Sequence, residues 1–181
     1  MDISGTKTEK NLLKTFAGES RARNRYDLYS EKANQEGYYW IAKVFNETAL
    51  NEFAHAREVF KRYLKMINST EQNLLSAAMG ENEEAESIYK DFENTARMEG
   101  FNDIADFFKE LREVEESHKE RFMMLYEGLK NKNLYNSNKE DTMWKCLNCG
   151  YIHIGKNAPE ICPLCKFPRG YFKLYCKCEK K

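Results

Sequence analysis

The chain has 181 residues, of which 41% are hydrophobic and 32% are charged, and its formal net charge is zero. This length and composition suit a globular protein with one well-packed domain and a small additional module. No run approaches the roughly 18 apolar residues of a membrane span, and the N-terminal stretch MDISGTKTEKN has no apolar signal segment. We therefore expect a cytoplasmic protein that does not interact with a membrane.

The charge is divided unevenly along the chain. Residues 1–140 carry 21 Lys and Arg against 26 Asp and Glu, whereas residues 141–181 carry 8 against 3, which gives −5 and +5. No basic run accompanies the positive part, so a nucleic-acid partner is not expected. All six cysteines and all three prolines lie beyond residue 140. We predict a helical domain over residues 1–130, a polar linker over 131–142 and a metal-binding domain over 143–181.

The first domain has the pattern of long amphipathic helices. Residues 6–130 contain no proline, and apolar residues recur at intervals of three and four. Breaks are indicated at Gly37, at residues 68–72 and at Gly100, after which Asn102 or Asp103 is predicted to cap the next helix. The pattern predicts four helices of about 28 residues, arranged as two hairpins.

The two predicted hairpins repeat one another. Glu52 and His55 match Glu115 and His118 at an offset of 63, and AGES at 17–20 matches MGEN at 79–82 at an offset of 62. A period this long and regular indicates duplication into a two-fold bundle. Each half then supplies one glutamate from its first helix and a Glu/His pair from its second.

This pattern favours a carboxylate-bridged pair of metal ions. Residues three apart on a helix share a face, so each pair can bind one ion. Two pairs and two further glutamates match ferritin-like proteins that bind two irons or manganeses. The candidate ligands are Glu19, Glu52, His55, Glu81, Glu115 and His118, with Glu84 as a seventh, one turn beyond Glu81. The alternative is that these carboxylates are ordinary solvated charges on a helical surface.

The second domain contains two CxxC units separated by twelve residues, which predict one four-thiolate metal site. Its ligands are Cys146, Cys149, Cys162 and Cys165. Both zinc and iron accept four thiolates, so the spacing leaves a structural zinc ribbon and an electron-transfer centre open. Cys176 and Cys178 are interpreted as reduced thiols outside this site.

The combination of ESRARNRY, two ExxH pairs, GENEE and CLNCGYIHIGKNAPEICPLC resembles the rubrerythrin family over nearly the whole chain. The resemblance implies an all-α, ferritin-like four-helix bundle followed by a rubredoxin-like domain, with a non-haem diiron site and one Fe(Cys)4 centre. The implied roles are bridging by Glu52 and Glu115, terminal binding by Glu19, Glu81 and His118, exchange of one iron between Glu84 and His55, and hydrogen bonds from Tyr26 and Tyr89 to ligand carboxylates. This sequence departs from the usual rubredoxin pattern at Lys166, where rubredoxins usually have glycine after the second CxxC.

The activity implied by this resemblance is reduction of hydrogen peroxide to water, with electrons from a separate NAD(P)H-linked reductase or a rubredoxin. A ferroxidase or oxygen-reducing diiron protein and a zinc-ribbon interaction protein remain the alternatives. His118 lies twelve residues before the predicted end of its helix, or about 18 Å at 1.5 Å per residue. Because the metal-binding domain begins at that end and the charge is divided −5 and +5, we expect a head-to-tail homodimer in which each chain supplies electrons to its partner.

Overall fold

The computed structural model describes residues 2–175 and is mostly helical, with a small C-terminal sheet. The helices are α1 Lys7–Gln35, α2 Tyr39–Glu58, α3 Thr70–Glu83, α4 Tyr89–Met98 and α5 Asn102–Lys130, and the strands are β1 Met143–Cys146, β2 Ile152–Ile154 and β3 Phe172–Leu174. A π-helical turn at Val59–Tyr63 prolongs α2, and a second one at Glu84–Ile88 joins α3 to α4. The predicted fold class is confirmed. Cys176 and Cys178 lie outside the described residues.

The predicted helix breaks coincide with residues whose chemistry ends or begins a helix. Gly37 and Gly100 follow α1 and α4 with φ of 81° and 85°, a left-handed conformation that glycine adopts without strain. Ser69 precedes α3 and forms a reciprocal capping box with Gln72. None of the helices described over residues 2–175 is both long and apolar enough to cross a membrane.

The predicted cap of α5 is wrong. Asn102 is the first helical residue, and the N-cap position is held by Phe101, whose side chain has no hydrogen-bonding atom. The chain reaches this position through the left-handed Gly100, and backbone bonds from Gly100 and Phe101 close the preceding turn onto α4. Backbone geometry therefore sets this helix start without a side-chain cap.

The described chain separates into two compact units, Met1–Asn68 and Ser69–Lys181. In the first unit α1 and α2 run antiparallel, because the Phe16 and Phe60 rings are 4.7 Å apart at one end and Ser30 Oγ donates to the Ala42 carbonyl at the other. The buried hydrophobic residues of these two helices are all alanines, namely Ala33, Ala42, Ala49 and Ala56. Small side chains at a helix contact permit close approach of the two backbones.

In the second unit, α3, the π-turn and α4 form one long helix that packs against α5. This hairpin repeats a ring cluster of the first one. Tyr26, Tyr29 and Phe45 have centroid distances of 6.3, 6.2 and 5.5 Å, and their counterparts Tyr89, Phe92 and Phe108 have 6.1, 6.2 and 5.5 Å. The repeat in the sequence is therefore also a repeat in side-chain packing.

The C-terminal sheet has the order β2-β1-β3, with both pairs antiparallel. Its core contains Trp144, Cys146, Ala158, Cys162 and Phe172, against which Tyr135 and Tyr151 pack. Trp144 is buried, and its indole N–H donates to the Gly155 carbonyl at 2.9 Å. Two of the four CxxC cysteines are thus part of the hydrophobic core of this small domain.

Candidate metal centres

The first unit contains a Glu–Glu–His cluster. Glu19 comes from α1, and Glu52 and His55 come from adjacent turns of α2. His55 Nδ1 lies 2.9 Å from Glu52 Oε2 and 3.9 Å from Glu19 Oε2. The ligand atoms of the three side chains lie within 4.8 Å of one another, so small adjustments would let them share one ion.

The second unit contains the matching cluster. His118 Nδ1 lies 2.8 Å from Glu115 Oε2 and 3.9 Å from Glu81 Oε2, so the two clusters agree within 0.1 Å. Glu115 is buried, with 8% of its surface exposed. In both clusters Nδ1 is the imidazole atom nearest to the carboxylates, which makes it the candidate ligand atom. The structure thus groups six of the seven predicted carboxylate-site residues into two clusters, one in each unit.

The electrostatics of both clusters suit a bound cation. The hydrogen bond with Glu52 raises the pKa of Glu19, and burial and the charge of Glu52 raise that pKa further. The hydrogen bonds from Glu19 and His55 lower the pKa of Glu52. Burial, followed by Glu115, raises the pKa of Glu81. A divalent cation would offset the repulsion between the paired carboxylates of each cluster.

Glu84 belongs to neither cluster among the described residues, but it lies beside the second one. Its charge helps to raise the pKa of Glu81. Burial, followed by the charge of Glu84 and a hydrogen bond to it, raises the pKa of Tyr89. Tyr89 thus lies near the candidate ligand Glu84, and its hydrogen bond to a ligand carboxylate stays a prediction, as does that of Tyr26, which packs on Tyr29 and Phe45.

Glu84 begins a π-helical turn that sequence reasoning missed. Six residues separate Glu19 from Tyr26, but seven separate Glu81 from Tyr89. Helix α1 is α-helical throughout, whereas the second copy accommodates its extra residue in the π-turn Glu84–Ile88. The change of repeat offset from 62 to 63 was the signal in the sequence for this turn.

The four cysteines of the C-terminal domain form a third cluster. Cys146 Sγ lies 3.7 Å from Cys165 Sγ, and Cys149 Sγ lies 3.7 Å from Cys162 Sγ. A tetrahedron with metal–sulfur bonds of about 2.3 Å has edges of about 3.8 Å. Both distances match an edge of such a tetrahedron, and all four sulfurs lie within 4.8 Å of one another.

The two CxxC loops have the same backbone bonding. The N–H of the first cysteine in each loop donates to the carbonyl five residues later, and the N–H four residues later donates back to that cysteine. These bonds are Cys146 to Tyr151 and Cys162 to Phe167, both 2.8 Å, and Gly150 to Cys146 and Lys166 to Cys162, at 2.9 and 3.0 Å. The loops require a left-handed residue, which is Gly150 with φ of 77° in one and Lys166 with φ of 62° in the other. The lysine thus adopts the conformation that glycine adopts in the first loop.

The thiols of this cluster differ in pKa, so they lose their protons at different pH values. A hydrogen bond from the Asn148 side chain, with further bonds from Phe167 and the neighbouring thiols, lowers the pKa of Cys165 to about 6. The Tyr151 backbone bond acts to lower the pKa of Cys149, but burial and the three other cysteines raise it to about 12. A tetrahedral metal cation that binds all four sulfurs would displace the protons of the thiols with the higher pKa.

Comparisons with known proteins agree with this organisation. A family model described as rubrerythrin matches residues 10–126, and one described as "Rubrerythrin, rubredoxin-like domain" matches residues 144–173. Among curated proteins, rubrerythrin-1 of Clostridium acetobutylicum is 41% identical over 95% of this chain and 96% of its own length. Rubrerythrin of Nitratidesulfovibrio vulgaris is 38% identical, with 95% and 96% covered.

Among solved structures, nigerythrin in its fully reduced, all-ferrous state is 29% identical, covering 95% of this chain and 88% of that one, with a TM-score of 0.36. The matches to the family models and the curated relatives span both domains at substantial identity. The chain therefore belongs to the rubrerythrin family, and its Glu/His and four-cysteine clusters correspond to that family's diiron and rubredoxin-like iron sites.

Proposed function

We propose that this protein is a hydrogen peroxide reductase that catalyses H2O2 + 2 e− + 2 H+ → 2 H2O. The observation that carries the proposal is a four-thiolate iron site in the same chain as duplicated carboxylate/histidine clusters suited to two irons. Reduction of peroxide requires two electrons at once, whereas a four-thiolate iron transfers them singly. A two-iron store with a one-electron supply meets both requirements.

The proposed iron ligands are those of the sequence prediction, Glu19, Glu52, His55, Glu81, Glu84, Glu115 and His118, with Cys146, Cys149, Cys162 and Cys165 at the second centre. When bound, the iron pair supplies the two electrons that cleave the O–O bond. The proposed role of Tyr89 is to position Glu84, and its support is that the charge of Glu84 helps to raise the pKa of Tyr89.

The proposal is tested by stopped-flow mixing of the fully reduced, iron-loaded chain with hydrogen peroxide or with oxygen under otherwise anaerobic conditions. Peroxide should oxidise both iron centres rapidly, and faster than oxygen does. Equal or slower oxidation by peroxide would contradict the proposal and favour the ferroxidase or oxygen-reducing alternative. Purification with zinc at the four cysteines and without iron would instead favour the zinc-ribbon alternative.

The proposed working unit is a cytoplasmic head-to-tail homodimer in which the domain over residues 143–181 delivers electrons to the helical domain over residues 1–130 of a partner chain. The −5 and +5 division of charge supports this arrangement, because two chains related by a two-fold axis would satisfy each other twice. An NAD(P)H-linked reductase or a rubredoxin supplies the electrons.

The dimer is tested by complementation. A Glu52→Ala chain has a disabled diiron site, and a Cys146→Ala chain has a disabled thiolate centre. After dissociation and reassociation of the mixture, peroxidase turnover should reappear in mixed dimers. Turnover that stays at the level of the separate variants would show that each chain supplies its own irons.

A further inference from the structure

The π-turn at Glu84–Ile88 leaves a defect in the hydrogen bonding of its helix. The Tyr89 N–H donates to the Glu84 carbonyl, five residues back, after which the α-helical spacing of four resumes in α4. Where the spacing of the backbone hydrogen bonds changes from five residues to four, one carbonyl is left without a backbone N–H donor. Here that carbonyl belongs to Ala85. Ala85 is only 4% exposed, so water has poor access to this oxygen.

Arg112 of α5 supplies the missing donor. Its Nε donates to the Ala85 carbonyl at 2.8 Å, and its Nη1 donates to Glu93 Oε2 at 3.0 Å. Glu93 is also held by Arg97, which in turn contacts Asp106. One half-buried guanidinium thus joins the π-turn, α4 and α5 at a point one helical turn before the ligand candidate Glu115.

The first hairpin provides an internal comparison. At the repeat offset of 63, Ala49 occupies the position of Arg112 and Ser30 occupies that of Glu93. Ala49 is buried, and the Ser30 hydroxyl donates to the Ala42 carbonyl instead. The hairpin whose first helix is regular thus has alanine and serine at these positions, and the hairpin with the π-turn has the Arg112–Glu93 pair.

The location of the π-turn decides where Glu84 points. Such a turn can migrate along a helix, because a shift by one residue exchanges one set of backbone bonds for an equivalent set. Each residue of an α-helix is rotated by about 100° from the previous one. Glu84 shares a face with Glu81 only while the helix is regular between them, so migration of the turn towards Glu81 would rotate Glu84 away from the second cluster.

We propose that Arg112 is a positioning residue that pins the π-turn at residues 84–88 and so holds Glu84 in register with Glu81. The inference rests on the proposed function in taking Glu84 as an iron ligand. The part that concerns the backbone, namely that the hydrogen bond from Arg112 to the Ala85 carbonyl fixes the π-turn, can be measured without a peroxidase assay.

The matched pair of variants is Arg112→Ala and Arg97→Ala, each in the full-length, iron-loaded chain. Both remove an arginine that binds Glu93, but only the first removes the donor to Ala85. Hydrogen–deuterium exchange is followed by mass spectrometry in peptides covering residues 84–90, with a peptide from regular α1, residues 20–27, as reference. Loss of a hydrogen bond from a charged, half-buried donor should accelerate exchange at 84–90 about tenfold in Arg112→Ala. Arg97→Ala should leave the exchange of that segment near the native rate.

A second measurement connects the turn to the metal. The Mössbauer spectrum of the diiron pair in Arg112→Ala should change in the direction seen for Glu84→Ala, and Arg112→Lys, which keeps one donor, should restore part of the native spectrum. Equal exchange at residues 84–90 in the Arg112→Ala and Arg97→Ala chains, or a native diiron spectrum in Arg112→Ala, would overturn the inference. A native chain that fails to react with peroxide while the exchange contrast persists would instead overturn the proposed function alone.

Discussion

Replacement of Lys166 by glycine should stabilise the four-cysteine domain. Lys166 has φ of 62°, and a left-handed conformation costs a residue with a Cβ about 1–2 kcal/mol. Glycine loses about 0.5–1 kcal/mol more backbone entropy on folding. The bond from Lys166 Nζ to the Pro163 carbonyl is exposed, and the ordering of the long side chain offsets its contribution. The net gain is therefore about 0.5–1 kcal/mol.

The assay is the rate at which the iron-loaded chain releases its thiolate-bound iron to a chelator, followed by the loss of sulfur-to-iron absorption. A stabilisation of about 0.5–1 kcal/mol corresponds to roughly two- to fivefold slower release, if release requires opening of the domain. Gly150→Ala, at φ of 77°, should accelerate release. Lys145→Gly, in β1, is the control for loss of a lysine and should not slow it. Release from Lys166→Gly at or above the native rate would refute the strain argument.

Three further predictions concern the helical domain. Metal analysis should show that Glu84→Ala retains more iron than Glu52→Ala, because Glu52 belongs to a cluster whereas Glu84 lies beside one. Equal loss of iron in the two variants would show that Glu84 is a fixed ligand. Deletion of Ala85 should convert the π-turn to regular α-helix, so Arg112→Ala should add no further increase in exchange at this segment; an undiminished increase would show that Arg112 acts elsewhere. Arg97 and Arg112 hold the pKa of Glu93 below its ordinary 4.5. The loss of stability caused by Glu93→Gln should therefore be largest above pH 4.5 and should disappear as the pH falls through the lowered pKa. Chemical unfolding at several pH values measures this loss, and a loss that does not depend on pH would exclude the ion pairs as its cause.

The features predictable from sequence were those set by local rules. Gly37, Gly100 and Ser69 mark helix breaks because left-handed glycines and serine caps act within one turn of chain. The repeated turns of the CxxC loops are equally local, since the bonds from the N–H of Cys146, Gly150, Cys162 and Lys166 join residues at most five apart. The Glu/His pairs were predictable because the duplication repeats them at a fixed offset and a three-residue spacing puts both side chains on one helix face.

The features that sequence reasoning missed depend on registry between elements. The π-turn followed from a single extra residue, which the offsets of 62 and 63 recorded without showing where the helix would accommodate it. No local pattern in the sequence marks Arg112, because its acceptor lies 27 positions earlier on another helix. The helix start after Phe101 was mispredicted because backbone bonding replaces the expected side-chain cap.

The confinement of each Glu–Glu–His cluster to one hairpin affects the order in which the protein forms during synthesis. The helices of the first hairpin are consecutive in the chain, and its unit ends at Asn68, before Glu81 has been added. Contacts between neighbouring helices have low contact order and form in microseconds to milliseconds, whereas a ribosome adds about 5–20 residues per second. Glu19, Glu52 and His55 are therefore all in place along the nascent chain several seconds before the four-cysteine domain has been synthesised.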